Sequence, residues 1–417
     1  MGDQKIIPEK KQLEFLDWEF GVFFHFGIRS FFRGHKDWDN REMPASAFNP
    51  ERLDCDGWIR AIRDAGAKYA VLVCKHHDGF ANWPTKYSDY SVKASPWKNG
   101  EGDVVAEYVA ACRKYGVKVG LYYSPAQWGG KVSFENDREY DDYFIGQIGE
   151  LLSNYGKIDY LWFDGCGSEN HEYDRARIVS EIRRMQPEIL VFEMWDPDTR
   201  WVGNEDGYAD MPNTSNVRRL DFSMNATRPL DLEGVRFLPA ECDCMMRNTW
   251  FDCEENEDKI KSVEELMGMY EMSVGRGANL LLNIGPDSRG MLPEKDAARL
   301  AEFGREIRRR YGAPVPGFSP LAPDEKPDSF SIQAAENALV NRVVLEEDLT
   351  DGEHIGEFRV YAHLPHYTAK RVCVYQGCTM GHKAICVFPA IRTARLTVEI
   401  SRADGAYRVK DMRAYFA

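Results

Sequence analysis

Apolar residues along the chain gather in short runs. Longer stretches separate them, in which apolar positions recur every three or four residues. The runs are GVFFHFG (21–27), YAVLVCKHH (69–77), KVGLYYS (118–124), DYLWFDG (159–165), ILVFEMW (189–195), VRFLPAECD (235–243) and ANLLLNIG (278–285). Each is short and rich in β-branched or aromatic residues, as strands buried on both faces are. Between them, Asp103–Tyr115 places Val104, Val105, Tyr108, Val109 and Cys112 on one helical face, with Gly116 set to end the helix. Arg138–Tyr155 does the same and stops at Gly156. Residues 171–186, 262–275 and 293–311 carry the same period. In the last, Pro293 suits the first turn, and Glu294 and Asp296 sit near the positive end of the helix dipole.

This alternation predicts an α/β protein, a (β/α) TIM-like barrel over residues 1–318. A doubly wound sheet is the weaker reading, because the first run leads into HFGIRSFF and not into a glycine-rich phosphate turn. After the proline-rich stretch YGAPVPGFSPLAPDEKPD (311–328) the period changes to two. Leu396, Val398 and Ile400 alternate with Thr397 and Glu399, and Phe358 and Val360 with Arg359 and Tyr361. A small C-terminal β-sandwich over residues 329–417 is predicted.

Charge narrows the partners. Lys and Arg number 53 against 67 Asp and Glu, a net −14, which repels a phosphate backbone and excludes nucleic acid as the natural partner. No apolar run reaches the length of a membrane helix. No export signal is read at the start, and the ten cysteines form no CxxC pair. A reducing, cytoplasmic location is therefore expected.

Reactive groups in a barrel cluster at the C-terminal ends of its strands. Those ends supply His25, His76, His77, Asp78, Tyr122, Tyr123, Trp162, Asp164, Glu193, Asp196, Glu241, Asp243 and Asn283. Asp164 closes the run YLWF, and Glu241 follows FLPA. Two carboxylates converging on one cavity are what glycoside hydrolysis needs, one to attack or activate water and one to protonate the leaving oxygen. Glu193 and Glu205 compete for the second role. Trp38, Trp83, Trp128, Trp162, Trp195, Trp201 and Trp250 lie at or after strand ends, where indole faces stack on sugar C–H faces, although many such residues simply pack. The adjacent His76 and His77 offer a rival, a metal-dependent barrel hydrolase. Too few further histidines stand nearby to complete a ligand set. A non-catalytic carbohydrate-binding barrel is the other alternative.

The motifs GVFFHFG, AKYAVLVCKHHDGFANWPTKYSDYSV, SPWKNGEGDVV, YLWFDG and NLLLNIGPDSRGMLPE, in this order and spacing, resemble the α-L-fucosidases of glycoside hydrolase family 29. RWVGNEDGY and PAECDCMMRNTWF look like the subgroup acting on α-1,3/1,4-linked fucose. The resemblance implies a retaining, exo-acting enzyme that releases terminal L-fucose from branched glycans and needs no metal or cofactor. It implies that Asp164 is the nucleophile and Glu241 the general acid/base. His25, Trp38, His76, His77, Tyr122, Trp162, Arg247 and Trp250 would hold the sugar.

Overall fold

The computed structural model describes residues 6–32, 41–127, 136–166, 171–193, 195–220 and 230–417. Eight parallel strands stand side by side. They are β1 (Phe20–Phe24), β2 (Tyr69–Lys75), β3 (Lys118–Tyr123), β4 (Tyr160–Phe163), β5 (Leu190–Phe192), β6 (Arg200–Trp201), β9 (Ala240–Met245) and β10 (Asn279–Asn283). Their order around the sheet is β5-β4-β3-β2-β1-β10-β9-β6. A parallel bridge between Phe192 and Thr199 joins the two ends, and Val191 O accepts from the amides of Asp198 (2.8 Å) and Thr199 (3.3 Å). The predicted barrel is therefore nearly closed.

Helices α1 (Lys10–Trp18), α2 (Cys55–Ala65), α3 (Val104–Tyr115), α4 (Asp137–Asn154), α5 (Arg175–Met185), α6 (Val263–Ser273) and α7 (Glu294–Tyr311) surround it. Their starts follow local chemistry. Asp54, Asp103, Asn136, Asp174 and Ser262 each accept from an amide in the first turn. Gly116 ends α3 at φ +68°, a conformation that favours glycine. Between β6 and β9 an antiparallel hairpin, β7 (Asn216–Leu220) and β8 (Leu230–Phe237), stands where a helix is usual.

Alternation along each strand sorts side chains to two cores. Val22, Phe24, Ala70, Leu72, Cys74, Leu121, Leu161, Val191, Leu280 and Leu282 face the helices. Phe23, Tyr69, Val71, Val73, Tyr122, Tyr160, Trp162, Leu190, Phe192 and Leu281 fill the interior. Phe15 and Trp18 of α1 join this inner cluster, with ring centroids 5.3 Å from Tyr160 and 5.4 Å from Tyr69 respectively. They plug the N-terminal end of the barrel.

One expectation changes, and one strand is new. The run 235–243 is not one strand. Pro239, which has no amide to donate, separates the end of β8 from the start of β9. Strand β6, two residues long, leaves too little pattern to be read. The C-terminal β domain is a six-stranded antiparallel sheet of β11 (Ala322–Pro323), β12 (Ser329–Glu347), β13 (Ile355–Leu364), β14 (Tyr367–Gly377), β15 (Ala384–Ala403) and β16 (Val409–Tyr415). Its long strands β12 and β15 shift register between Gln333 and Ala338 and between Val340 and Arg342, irregularities of the kind that bend strands around a core. Ile332, Val343, Leu345, Phe358, Val360, Leu396, Val398 and Met412 form that core. The sheet docks on the barrel through an antiparallel bridge of Ala384 to Arg276, and through Glu353 Oε2, which accepts from Ser215 N at 2.8 Å.

Candidate active site

A cavity opens at the C-terminal mouth, walled by Phe23, Tyr122, Trp162, Phe192, Trp201 and Trp250. His25, His76, His77, Asp164, Glu193, Glu205 and Asp243 bring polar groups to it. Asp164 follows β4 directly and is half-buried. Its Oδ2 accepts from Tyr122 Oη at 2.8 Å, and its Oδ1 from Cys166 N at 2.8 Å. Two donors on two oxygens fix the carboxylate plane. His77 Nε2 lies 3.5 Å from the same Oδ2.

Hydrogen bonding sets the His25 tautomer. Asn283 Nδ2 donates to Trp250 O at 2.7 Å, which leaves Asn283 Oδ1 to accept from His25 Nδ1 at 2.8 Å. Neutral His25 therefore carries its proton on Nδ1 and has an acceptor at Nε2. Burial holds its pKa down at about 3, so the ring stays neutral. His77 Nδ1 lies 2.6 Å from Ser124 Oγ, which itself donates to Ala126 O at 3.0 Å. Burial also lowers its pKa, while Asp164 acts in the opposite sense. His76 stacks on Tyr122, with centroids 5.8 Å apart and planes 14° from parallel. Among the described residues no cluster of three or more His, Cys, Asp or Glu is arranged to hold a metal.

On the opposite wall, Glu193 sits at φ +59°, an uncommon conformation for a non-glycine residue, and its Oε1 accepts from Trp201 N. Trp201 Nε1 donates to Asp243 Oδ1 at 2.7 Å. Burial, and then the charge of Glu205, push the Asp243 carboxyl well above the usual range. Glu205 is exposed at the rim, in the loop after β6.

Two predicted site residues are placed elsewhere. Glu241 is the second residue of β9, not its last, because Pro239 delays the strand. It is 0% exposed and absent from the cavity wall. Its Oε2 accepts from Tyr69 Oη at 2.6 Å, and its Oε1 from Trp162 Nε1 at 2.8 Å and Tyr160 Oη at 3.2 Å. Asp243, one inward position nearer the mouth, reaches the cavity instead. Arg247 is also buried. It binds Asp296 through Nε (3.0 Å) and Nη2, and Asp252 and Cys253 O through Nη1 at 3.2 and 3.0 Å. It braces the segment carrying Trp250 against α7 and does not line the cavity. Trp38 lies outside the described residues. Sequence reasoning missed Phe192 and Cys166 as lining residues. Alternation with Cys242 and Cys244 turns both Glu241 and Asp243 inward, and Asp243, two residues nearer the C-terminal end of β9, is the one that reaches the mouth.

A one-ended barrel with an aromatic-walled cavity, an oriented aspartate and further carboxylates at the rim defines a site of the glycoside hydrolase class. The family model for alpha-L-fucosidase matches residues 4–310. Alpha-L-fucosidase 1 of Arabidopsis thaliana is 31% identical, over 95% of this chain and 85% of the plant protein. The tissue alpha-L-fucosidase of Mus musculus is 25% identical, over 70% of this chain and 68% of that protein. The crystal structure of SpGH29 superposes with a TM-score of 0.89 at 28% identity, covering 99% of this chain and 98% of the other. A glycoside hydrolase 29 family member from an unknown rumen bacterium gives the same TM-score and identity, covering 99% of this chain and 78% of that one. The chain belongs to the α-L-fucosidase family, glycoside hydrolase family 29, and is an enzyme of that class.

Proposed function

We propose that the protein is a retaining, exo-acting α-L-fucosidase with Asp164 as nucleophile and Glu205 as general acid/base. The observation that carries this is the Asp164 carboxylate, oriented by Tyr122 and the Cys166 amide at the base of a cavity whose rim carries Glu205. Glu205 replaces Glu241 in the second role because an acid/base must reach both the glycosidic oxygen and water. Glu241, fully buried with both oxygens occupied, reaches neither.

In the first step Asp164 attacks C1 from the β face. The bond from C1 to the glycan oxygen breaks, and Glu205 gives that oxygen its proton. In the second, Glu205 takes a proton from water, whose oxygen attacks C1 and displaces Asp164. L-Fucose leaves with its α configuration retained. His25 Nε2, as an acceptor, receives a hydrogen from a sugar hydroxyl, and His77 stands beside Asp164. Trp250 and Phe23, with the edge of Trp162, border the apolar face of the ring. A barrel floor filled by Phe15 and Trp18 supports exo action on a terminal residue. Terminal α-1,3/1,4-linked fucose on branched, Lewis-type glycans is the substrate class proposed, on the likeness of RWVGNEDGY and PAECDCMMRNTWF to that subgroup.

The test is the anomer first released from an aryl α-L-fucoside, read by proton NMR before mutarotation. α-Fucose is expected, and β-fucose would overturn retention. With azide, Glu205→Ala is expected to form α-fucosyl azide, whereas Asp164→Gly is expected to form the β product. Rescue at Glu193→Ala alone would move the acid/base role there. Hydrolysis of Lewis-type trisaccharides set against α-1,2- and α-1,6-linked fucosides decides the linkage.

A further inference from the structure

Glu241 raises a question once it is removed from the proton-transfer step. A carboxylate shut inside a barrel loses its hydration, a penalty that an apolar side chain of the same volume would avoid. Three donors converge on Glu241: Tyr69 Oη on one oxygen, and Trp162 Nε1 and Tyr160 Oη on the other. Of these three residues only Trp162 lines the cavity. Its indole is stacked on Phe192, with centroids 4.2 Å apart and planes 12° from parallel, and on Tyr122 at 5.4 Å and 25°. Stacking fixes the plane of an indole but leaves its edge undetermined. The single polar atom, Nε1–H, decides the edge, and it points down to Glu241 at 2.8 Å. Tyr122, the next ring in the stack, donates to the nucleophilic carboxylate at 2.8 Å.

We propose that Glu241 is a positioning residue for the sugar: by holding the Trp162 indole from below it fixes the aromatic floor and, through the stack, the ring that presents a hydroxyl to Asp164. The proposal rests on the fucosidase reading of the cavity. Its second oxygen, tied to Tyr69, keeps the carboxylate from rotating. The raised pKa of Glu241, at about 7 through burial, agrees with a group enclosed by protein and not open to solvent.

The test uses the whole enzyme. Glu241→Leu keeps bulk but removes the acceptor, and Glu241→Gln restores a carbonyl for Nε1–H. In soluble, folded Glu241→Leu, KM for an aryl fucoside and Ki for L-fucose are expected to rise about 10-fold or more, the loss typical of one charge-assisted hydrogen bond. Glu241→Gln is expected to recover most of that loss. The loss should not depend on the acidity of the aryl leaving group, since no proton transfer is removed. Trp162→Phe, which removes the N–H, should cost a similar factor, and the double variant should be no worse than Trp162→Phe alone.

Affinity within twofold of wild type in Glu241→Leu would overturn the proposal, as would losses that multiply in the double variant. Azide rescue of Glu241→Ala would return proton transfer to Glu241 and also overturn it. Should Glu241→Leu not fold, the comparison of Glu241→Gln/Trp162→Phe with Trp162→Phe decides, because a further loss there contradicts a shared path. Wild-type protein that hydrolyses no fucoside would defeat the fucosidase reading instead.

Discussion

Tyr122 Oη and Asp164 Oδ2 are 2.8 Å apart, and the tyrosine has no choice of role, since its hydroxyl donates and the carboxylate accepts. Hydrogen bonds to charged groups are worth about 1.5–3 kcal/mol. Tyr122→Phe is therefore expected to lower kcat/KM for an aryl fucoside by about 10- to 100-fold while the protein stays folded. An unchanged value would show that Asp164 keeps its orientation by the Cys166 amide alone.

His25 offers a pH test. Its pKa is depressed to about 3 by burial, so the ring remains neutral throughout the range in which ordinary histidines titrate. The ring-proton NMR signals of His25 are expected to hold constant between pH 5 and 8, identified by their loss in His25→Gln. A shift centred near pH 6.5, the ordinary histidine value, would contradict the neutral, Nδ1-protonated ring.

Glu347 tests the docked β domain. It is 3% exposed, accepts from the amides of His354 (2.7 Å) and Ile355 (3.0 Å), and has its pKa raised to about 7 by burial and, as a lesser cause, by the charge of Glu353. The folded protein thus holds this proton more tightly than the unfolded chain. That stabilisation is complete below the ordinary value of 4.5 and is lost as pH rises through about 7. Denaturant unfolding should find Glu347→Gln close to wild type near pH 4.5 and more stable by up to roughly 3 kcal/mol at pH 8. A difference that does not change with pH would refute the shift.

Arg247 separates bracing from binding. Arg247→Met leaves Asp296 buried without its cation and is expected to cost about 3–5 kcal/mol of stability. Arg247→Met/Asp296→Leu should recover a large part, because both charges are then gone. A single variant with unchanged thermal stability would count against the bracing role.

Much of this protein was legible from residue order. Period-two and period-3.6 patterning exposes buried strands and amphipathic helices directly, so seven of the apolar runs lead to barrel strands and Gly116 to a helix end. The histidines, Tyr122, Trp162 and Asp164 were legible because they terminate such runs. Glu241 was misplaced because FLPAE looks like the end of a strand, and only the backbone shows Pro239 to be a break before one. Arg247 was misplaced for a different reason: its partners Asp252 and Asp296 come from a loop and a distant helix, so nothing local marks it as a paired cation. Strand β6 escaped because two residues carry no period.

The barrel has a joint, and the joint lies at the site. Strands β1 to β4 pair along several residues each, whereas among the described residues β5 meets the segment just before β6 through one bridge, Phe192 to Thr199, and a few backbone hydrogen bonds around it. His25, His76, His77 and Asp164 stand on the firmly paired side; Glu193, Trp201 and Glu205 stand on or beside the joint. The two sides differ in what sequence drift costs them. Substitutions and insertions near the joint disturb few ladder bonds, so that wall can be remodelled while the histidine-lined side of the cavity keeps its shape.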